Sequence, residues 1–286
     1  MLRKIIVGYD GSPAAVHALT WALDEADRTR TPVELLHADE RPVWTPVGDS
    51  LAGPAHPRDH LVEVVGDMIE QALIEAKLTH PTVDLTVKHV RSLPAQALID
   101  RSRRARLVVV GGRGHSAVAD LLGSVSSAVS AHAHCPVVVV RGAPAPYAPV
   151  VAGVDDAMIA SPVLSLAAAQ ATAHRVSLRV VRAWAPPTGI WPDGPGRLVP
   201  GSAREPFDSL VTDLRDEYPN LRIEAEAVAE HPAAALTRES GAARLVVVGS
   251  RGRGTVRGLV LGSVSQHLLR HSACSVAVVH DTLIPV

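Results

Sequence analysis

The seven residues Ala-Arg-Leu-Val-Val-Val-Gly occur twice in this 286-residue chain, at 105–111 and again at 243–249, 138 residues apart. Gly-Ser-Val-Ser follows in both places, at 123–126 and 262–265, and Cys135 and Cys274 share that 139-residue offset. Val7-Gly8-Tyr9-Asp10 matches Ala152-Gly153-Val154-Asp155 upstream. Several landmarks in one order, at a domain-sized spacing, mark a duplication and not a solenoid. Gly142 to Pro149 alternates proline with small residues and reads as the linker. The expected domains are residues 1–143 and 148–286.

Each copy alternates strand and helix patterns. In the first, Ile5 to Val7, Val33 to His37, Leu85 to Val90, Leu107 to Val110 and Val137 to Val140 read as strands. The segments between them read as helices, including Leu61 to Leu78, Pro94 to Arg103 and a pair of helices after Gly111. Ser12 before Pro13 is an N-cap followed by proline at the first helical position. In the second copy the strands are Val150 to Val154, Leu178 to Val181, Ile223 to Val228, Leu245 to Val248 and Val276 to Val279. Continuous apolar runs such as Leu107 to Val110 belong to strands covered on both faces. The pattern predicts an α/β fold: two tandem open five-stranded parallel sheets with helices on both faces, Rossmann-like in layering. Aromatic residues are only 3% of the chain, so Val, Leu, Ile and Ala must fill the cores.

Formal net charge is −1, which argues against a nucleic-acid partner; the only lysines are Lys4, Lys77 and Lys88, so arginine carries the positive charge. The N-terminal apolar run is too short for a signal peptide, and no run approaches a membrane span. A cytoplasmic protein is expected. Two cysteines outside any Cys-x-x-Cys motif are expected to be small buried residues. The fourteen histidines show no ligand spacing, and no metal site is expected. Trp44, Trp184 and Trp191 are expected to pack loops.

Ligands of open α/β sheets sit beyond the carboxyl ends of the strands. There Gly249-Ser250-Arg251-Gly252 leaves the fourth strand of copy two, nine residues follow, and Gly262-Ser263 opens a helix. Glycines permit tight turns and close backbone approach, free amides form anion nests, and a helix N-terminus favours anions. Arg251 and Arg253 add positive charge, and the Ser263 and Ser265 hydroxyls could donate to phosphates. Glycines that merely shape loops are the plain alternative. No Walker-type Gly-x-x-x-x-Gly-Lys-Ser/Thr, no Gly-x-Gly-x-x-Gly after the first strand and no Gly-x-Ser-x-Gly occurs.

Gly249-x2-Gly252-x9-Gly262-Ser263 after Leu-Val-Val-Val resembles the universal stress protein family, as do Val-Gly-Tyr-Asp-Gly-Ser at 7–12 and Leu-Leu-His-Ala at 35–38. The likeness covers both copies and is similar to the tandem-domain, ATP-binding members found in actinobacteria; in the strand order it implies, the last strands, Val137 to Val140 and Val276 to Val279, are apolar edges, where the two copies are expected to meet as a pseudo-dimer. It implies ATP, with Mg as a possible companion, in the cleft at the strand ends. Asp10 and Asp155 would hold the ribose or phosphate region, with Gly8 and Gly153 lining the same site. Ala38 and Ala183 would meet the adenine through backbone groups. Gly111, Arg113, Gly114, Gly123, Ser124, Val125 and Ser126 would hold phosphates in copy one. Gly249, Arg251, Gly252, Arg253, Gly262, Ser263, Val264 and Ser265 would do so in copy two. Copy one departs by having eight residues between Gly114 and Gly123 and His115 in place of Arg253; copy two departs by Asp155-Asp156-Ala157 in place of Asp10-Gly11-Ser12. No general base or metal cluster stands out, so no catalytic residue is assigned and a regulatory ATP-binding homodimer of the stress response is expected, with slow ATP hydrolysis as an accompaniment. The alternatives are a nucleotide hydrolase or transferase and an interaction module without nucleotide.

Overall fold

The computed structural model describes residues 3–39, 57–112, 122–142, 145, 147–155, 160–184, 201–251 and 261–280, with backbone alone for 57–64 and 201–203. Copy one runs β1 (Lys4–Gly8), α1 (Pro13–Thr29), β2 (Val33–Ala38), α2 (Pro57–Thr79), β3 (Leu85–Val90), α3 (Pro94–Ser102), β4 (Ala105–Gly111), α4 (Ser124–His132) and β5 (Val137–Val140). Copy two repeats it as β6 (Val150–Gly153), α5 (Ala160–His174), β7 (Leu178–Ala183), α6 (Gly201–Glu217), β8 (Ile223–Val228), α7 (Pro232–Ser240), β9 (Leu245–Gly249), α8 (Ser263–His271) and β10 (Ser275–Val279). Between Gly111 and β5 the described residues hold one helix, α4; any partner to it lies outside them.

The helix signals work as the residues dictate. The Ala15 amide donates to Ser12 Oγ at 3.2 Å, and Pro13 follows the cap. Ala15, Ala18, Leu19, Ala22, Leu23 and Ala26 then bury one face at helical spacing. Arg30 ends α1 in the left-handed region at φ 50°, and Arg175 does the same after α5 at φ 54°.

Each copy is the expected five-stranded parallel sheet, and the two are not separate. The strand order is β3-β2-β1-β4-β5-β10-β9-β6-β7-β8 in a single ten-stranded sheet. The join is antiparallel: Val276 faces Val139, Ala277 faces Val138 and Val278 faces Val137. All six of these side chains are buried. The two apolar edges that would invite unwanted pairing thus remove each other from solvent. Alternate strand residues feed two continuous cores. On one face Val7, Val109 and Val140 pack with the apolar side of α1, and the same core runs on through Ala152 to α5. Ile6, Val108 and Val139 pack with Leu98, Val129, Leu236 and Leu268 on the other.

The antiparallel join relates the copies by an approximate twofold axis normal to the sheet. Glu25 and Gln170 are equivalent positions, each 4% exposed, and they touch: Gln170 Nε2 donates to Glu25 Oε1 at 2.8 Å. Two identical carboxylates there would repel. The duplicated chain places Glu in one copy and Gln in the other, which a symmetric dimer of one copy could not do. Burial pushes the Glu25 pKa up, while Arg28 and the Gln170 bond oppose it. Cys135 and Cys274 are both buried, as expected, and burial pushes the Cys135 thiol up to about 12.

Gln170→Glu should therefore destabilise the chain by about 3 kcal/mol at pH 7 in urea titration, the scale of an uncompensated buried charge. The loss should shrink as pH falls and one carboxyl takes up a proton. The exchanged pair, Glu25→Gln with Gln170→Glu, should recover most of it; a double variant as weak as the single one would contradict the axial contact.

Candidate functional site

Within each copy the strand order 3-2-1-4-5 reverses direction of growth between the first and fourth strands, so a crevice opens at their carboxyl ends. Because the copies run antiparallel, the two crevices open at opposite ends of the shared sheet. In copy one the crevice is a cavity of about 310 Å³. Gly8 and Asp10 come from the end of β1, Leu36 and Ala38 from β2, and Gly111 from the end of β4. Gly123, Ser124, Val125 and Ser126 supply the start of α4. Pro94, Leu98 and Val110 complete an apolar floor with Leu36. The volume is at the small end of ligand pockets.

Three local constraints shape this site. First, a Cβ on Gly111 would lie 2.7 Å from the Ala14 backbone carbon and oxygen, so only glycine lets β4 end against the start of α1. Second, a Cβ on Gly8 would meet Leu98 Cδ1 at 3.0 Å, and one on Gly153 would meet Leu236 Cδ1 at 2.6 Å. These glycines admit the leucine of the crossing helix as well as bordering the crevice. Third, Gly11 has φ 79° and its Cβ would overlap the Met68 sulfur. Beside it the Ser12 amide donates to Asp10 Oδ1 at 3.0 Å, so the Asp10 carboxylate organises the turn into α1.

The start of α4 is the polar wall. Its first intrahelical bond runs from the Ser127 amide to the Gly123 oxygen at 2.9 Å. Helix geometry leaves the amides of Ser124, Val125 and Ser126 without an acceptor inside the helix. Gly123 has no side chain to cap them. Copy two is built alike, with the Gln266 amide on the Gly262 oxygen at 2.9 Å.

Serine ties each helix start to its strand end. Ser126 Oγ donates to the Gly111 oxygen at 2.6 Å, and Ser265 Oγ donates to the Gly249 oxygen at 2.6 Å. A hydroxyl has one proton, and here Ser265 commits it to the strand-end carbonyl of Gly249. The Gly123 amide reaches the Gly112 oxygen at 3.1 Å, and the Gly262 amide reaches the Ser250 oxygen at 2.7 Å.

In copy two, Gly249, Arg251, Gly262, Ser263, Val264 and Ser265 gather at the end of β9 and the start of α8, with Gly153, Asp155 and Ala183 at the ends of β6 and β7. Arg113, Gly114, Gly252 and Arg253 lie outside the described residues, as do His115, Asp156, Ala157, Trp44 and Trp191. Trp184 is half-buried, its amide on the Val228 oxygen at 2.8 Å. The copies differ behind the crevice. His37 Nδ1 is 3.0 Å from the Tyr9 oxygen, whereas the equivalent Arg182 is 5% exposed. Burial pushes the Arg182 pKa down and the nearby Asp155 carboxylate opposes it. No sequence signal marks the apolar floor from Pro94 and Leu98, because it depends on where α3 crosses the sheet. Among the described residues no group of three or more His, Cys, Asp or Glu side chains could hold a metal, and no helix is long and apolar enough to cross a membrane.

Gly111→Ala should cost about 1–3 kcal/mol in urea unfolding, the range for an overpacked site. Gly112→Ala should cost far less, since its Cβ would have nothing nearer than 3.4 Å. Equal costs would contradict the close approach of β4 and α1.

The profile described as "Universal stress protein family" matches residues 1–141 and 146–280. Universal stress protein Rv2623 of Mycobacterium tuberculosis is 34% identical over 292 residues, spanning 98% of this chain and 97% of that protein. Universal stress protein Rv2005c of the same organism is 30% identical, spanning 97% of each. In fold, the chain is similar to a universal stress protein crystal structure from Archaeoglobus fulgidus, with TM-score 0.69, 18% identity and coverage of 97% and 98%. That last likeness bears on the fold alone. Two profile matches, one per copy, and full-length relatives at 30–34% identity lead to one conclusion: the chain belongs to the universal stress protein family.

Proposed function

We propose that the protein is an ATP-binding regulator of the stress response, with one nucleotide site in each of the units 1–143 and 148–286 and without efficient catalysis. The observation that carries this reading is the copy-one cavity, which joins an apolar floor to the start of α4, a helix end without a side-chain cap. An adenine ring suits the floor of Leu36, Pro94 and Leu98, with the Ala38 backbone at its edge. Phosphates suit the amides of Ser124, Val125 and Ser126 at the positive end of α4. Asp10 borders the cavity between them, at the place of the ribose. Copy two offers the same amides at Ser263, Val264 and Ser265, with Arg251 beside them. Gly114, Arg113, Gly252 and Arg253 complete the phosphate loops in this reading. Any Mg would ride on the phosphates, with Asp10 or Asp155 as its protein oxygen.

Regulation follows from differential affinity: a ligand that bridges β1, β4 and α4 favours the arrangement in which the three are closest. No residue is assigned to activate a water, which is why turnover is expected to be slow. Assembly of the whole chain into a homodimer belongs to the same reading, and light scattering tests it.

Calorimetric titration with ATP should find two sites. Gly123→Asp and Gly262→Asp each place a carboxylate at a helix start without losing the cap, since Asp is a good N-cap. Each should weaken its own site at least about tenfold by like-charge repulsion, and the double variant should bind neither equivalent. Failure of the purified chain to bind ATP, or rapid ATP turnover, would overturn the reading.

A further inference from the structure

The chain leaves β5 through Arg141 and β10 through His280, which are equivalent positions 139 residues apart. Because those strands are antiparallel neighbours, each side chain crosses to the other copy. The Arg141 guanidinium donates to the Arg270 oxygen at 3.2 Å, to the Ser272 oxygen at 3.1 Å and to the Leu269 oxygen. These are the closing carbonyls of α8. His280 Nε2 lies 2.9 Å from the Ser130 oxygen, and Nδ1 lies 3.0 Å from the Cys135 oxygen. Ser130 is in the last turn of α4 and is the equivalent of Leu269; Cys135 is in the turn that follows, before β5. The helix that walls the anion site of each copy is therefore capped, at its far end, by the other copy.

We propose that Arg141 and His280 are positioning residues that clasp the anion-site helices across the copy boundary, and that His280 makes the copy-one site responsive to protons while Arg141 keeps the copy-two site insensitive to them. The inference rests on reading the starts of α4 and α8 as phosphate sites. A neutral imidazole has one N–H, yet two carbonyl oxygens face the His280 ring. In the neutral ring one of those contacts sets a lone pair against a lone pair. The imidazolium satisfies both, and it places positive charge at the end of α4 where the helix dipole favours it. An anion at the other end of α4, nine residues and about 14 Å away at the helical rise, is attracted directly by that charge. Proton and anion binding thus favour each other through one short helix. Arg141 is charged at every relevant pH.

The titratable and charged groups facing His280 are His134 from the turn before β5 and Arg251 from the loop after β9. Burial is the largest influence on the His280 pKa and holds it below the ordinary value; the two carbonyls pull it up, and His134 and Arg251 push it down. The ring is therefore neutral at about pH 7.5 and takes up its proton in acid. Copy-one affinity should rise as pH falls.

The test measures ATP affinity at each site between about pH 7.5 and about pH 5, the span in which a histidine titrates, using Gly262→Asp to isolate copy one and Gly123→Asp to isolate copy two. The ratio of the two affinities cancels the titration of ATP itself. It should rise roughly two- to fivefold on acidification, the scale of two opposite unit charges about 14 Å apart at the effective dielectric of a partly solvated site. His280→Arg should hold the ratio high and flat, Arg141→His should give copy two a pH response of its own, and His134→Gln should leave the rise in place. A flat wild-type ratio, or a rise that survives His280→Arg, overturns the proposal. The ¹⁵N resonances of the His280 ring read the clasp without nucleotide: both nitrogens protonated in acid supports it, and a single neutral tautomer until unfolding refutes it. Absence of ATP binding at every pH would instead overturn the proposed function, leaving the ring resonances to decide the clasp.

Discussion

The antiparallel contact of Val137, Val138 and Val139 with Val278, Ala277 and Val276 is the constraint on which the rest of the molecule depends. A parallel sheet ending in an all-valine strand leaves an apolar edge that water cannot satisfy. Pairing the two edges makes one sheet of ten strands and places each core against its counterpart. It also sets an approximate twofold axis, brings Glu25 to Gln170, and sends the two crevices to opposite ends of the sheet. Arg141 and His280 reach across only because their strands run past each other.

The crevice is a consequence of backbone economy. Gly111 lets β4 stop against Ala14, Gly8 admits Leu98, and the latch from Ser126 to the Gly111 oxygen draws the start of α4 over the strand end. Each of these removes a side chain or commits a hydroxyl. What remains at the start of α4 is backbone N–H without an acceptor inside the helix and without a side-chain cap.

Much of this is readable from residues alone. Strands with unbroken Val and Leu runs, such as Leu107 to Val110, announce themselves because burial on both faces leaves no room for polar alternation. The Ser12-Pro13 helix start is legible because cap chemistry is local. The role of Ser265 is not: a serine near a glycine turn can donate to a ligand or to the turn's own carbonyl, and only the fold brings Gly249 within 2.6 Å of it. Pro94 and Leu98 escape notice as cavity floor because nothing in their own segment says which strand ends α3 will cross. Gly8 and Gly153 read as site glycines, and the leucines that require them are 90 and 83 residues further along the chain.

By itself the sequence determined the duplication, the βα alternation, the family and the glycine-bounded helix starts, all of which follow from periodicity and local backbone chemistry. Tertiary structure alone decided that the last strands join antiparallel into one ten-stranded sheet, that equivalent residues Glu25 and Gln170 meet, and that the ends of α4 and α8 are met by His280 and Arg141 from the opposite copy. Those outcomes turn on contacts between residues well over a hundred positions apart, and only the relative direction of β5 and β10 brings them into reach.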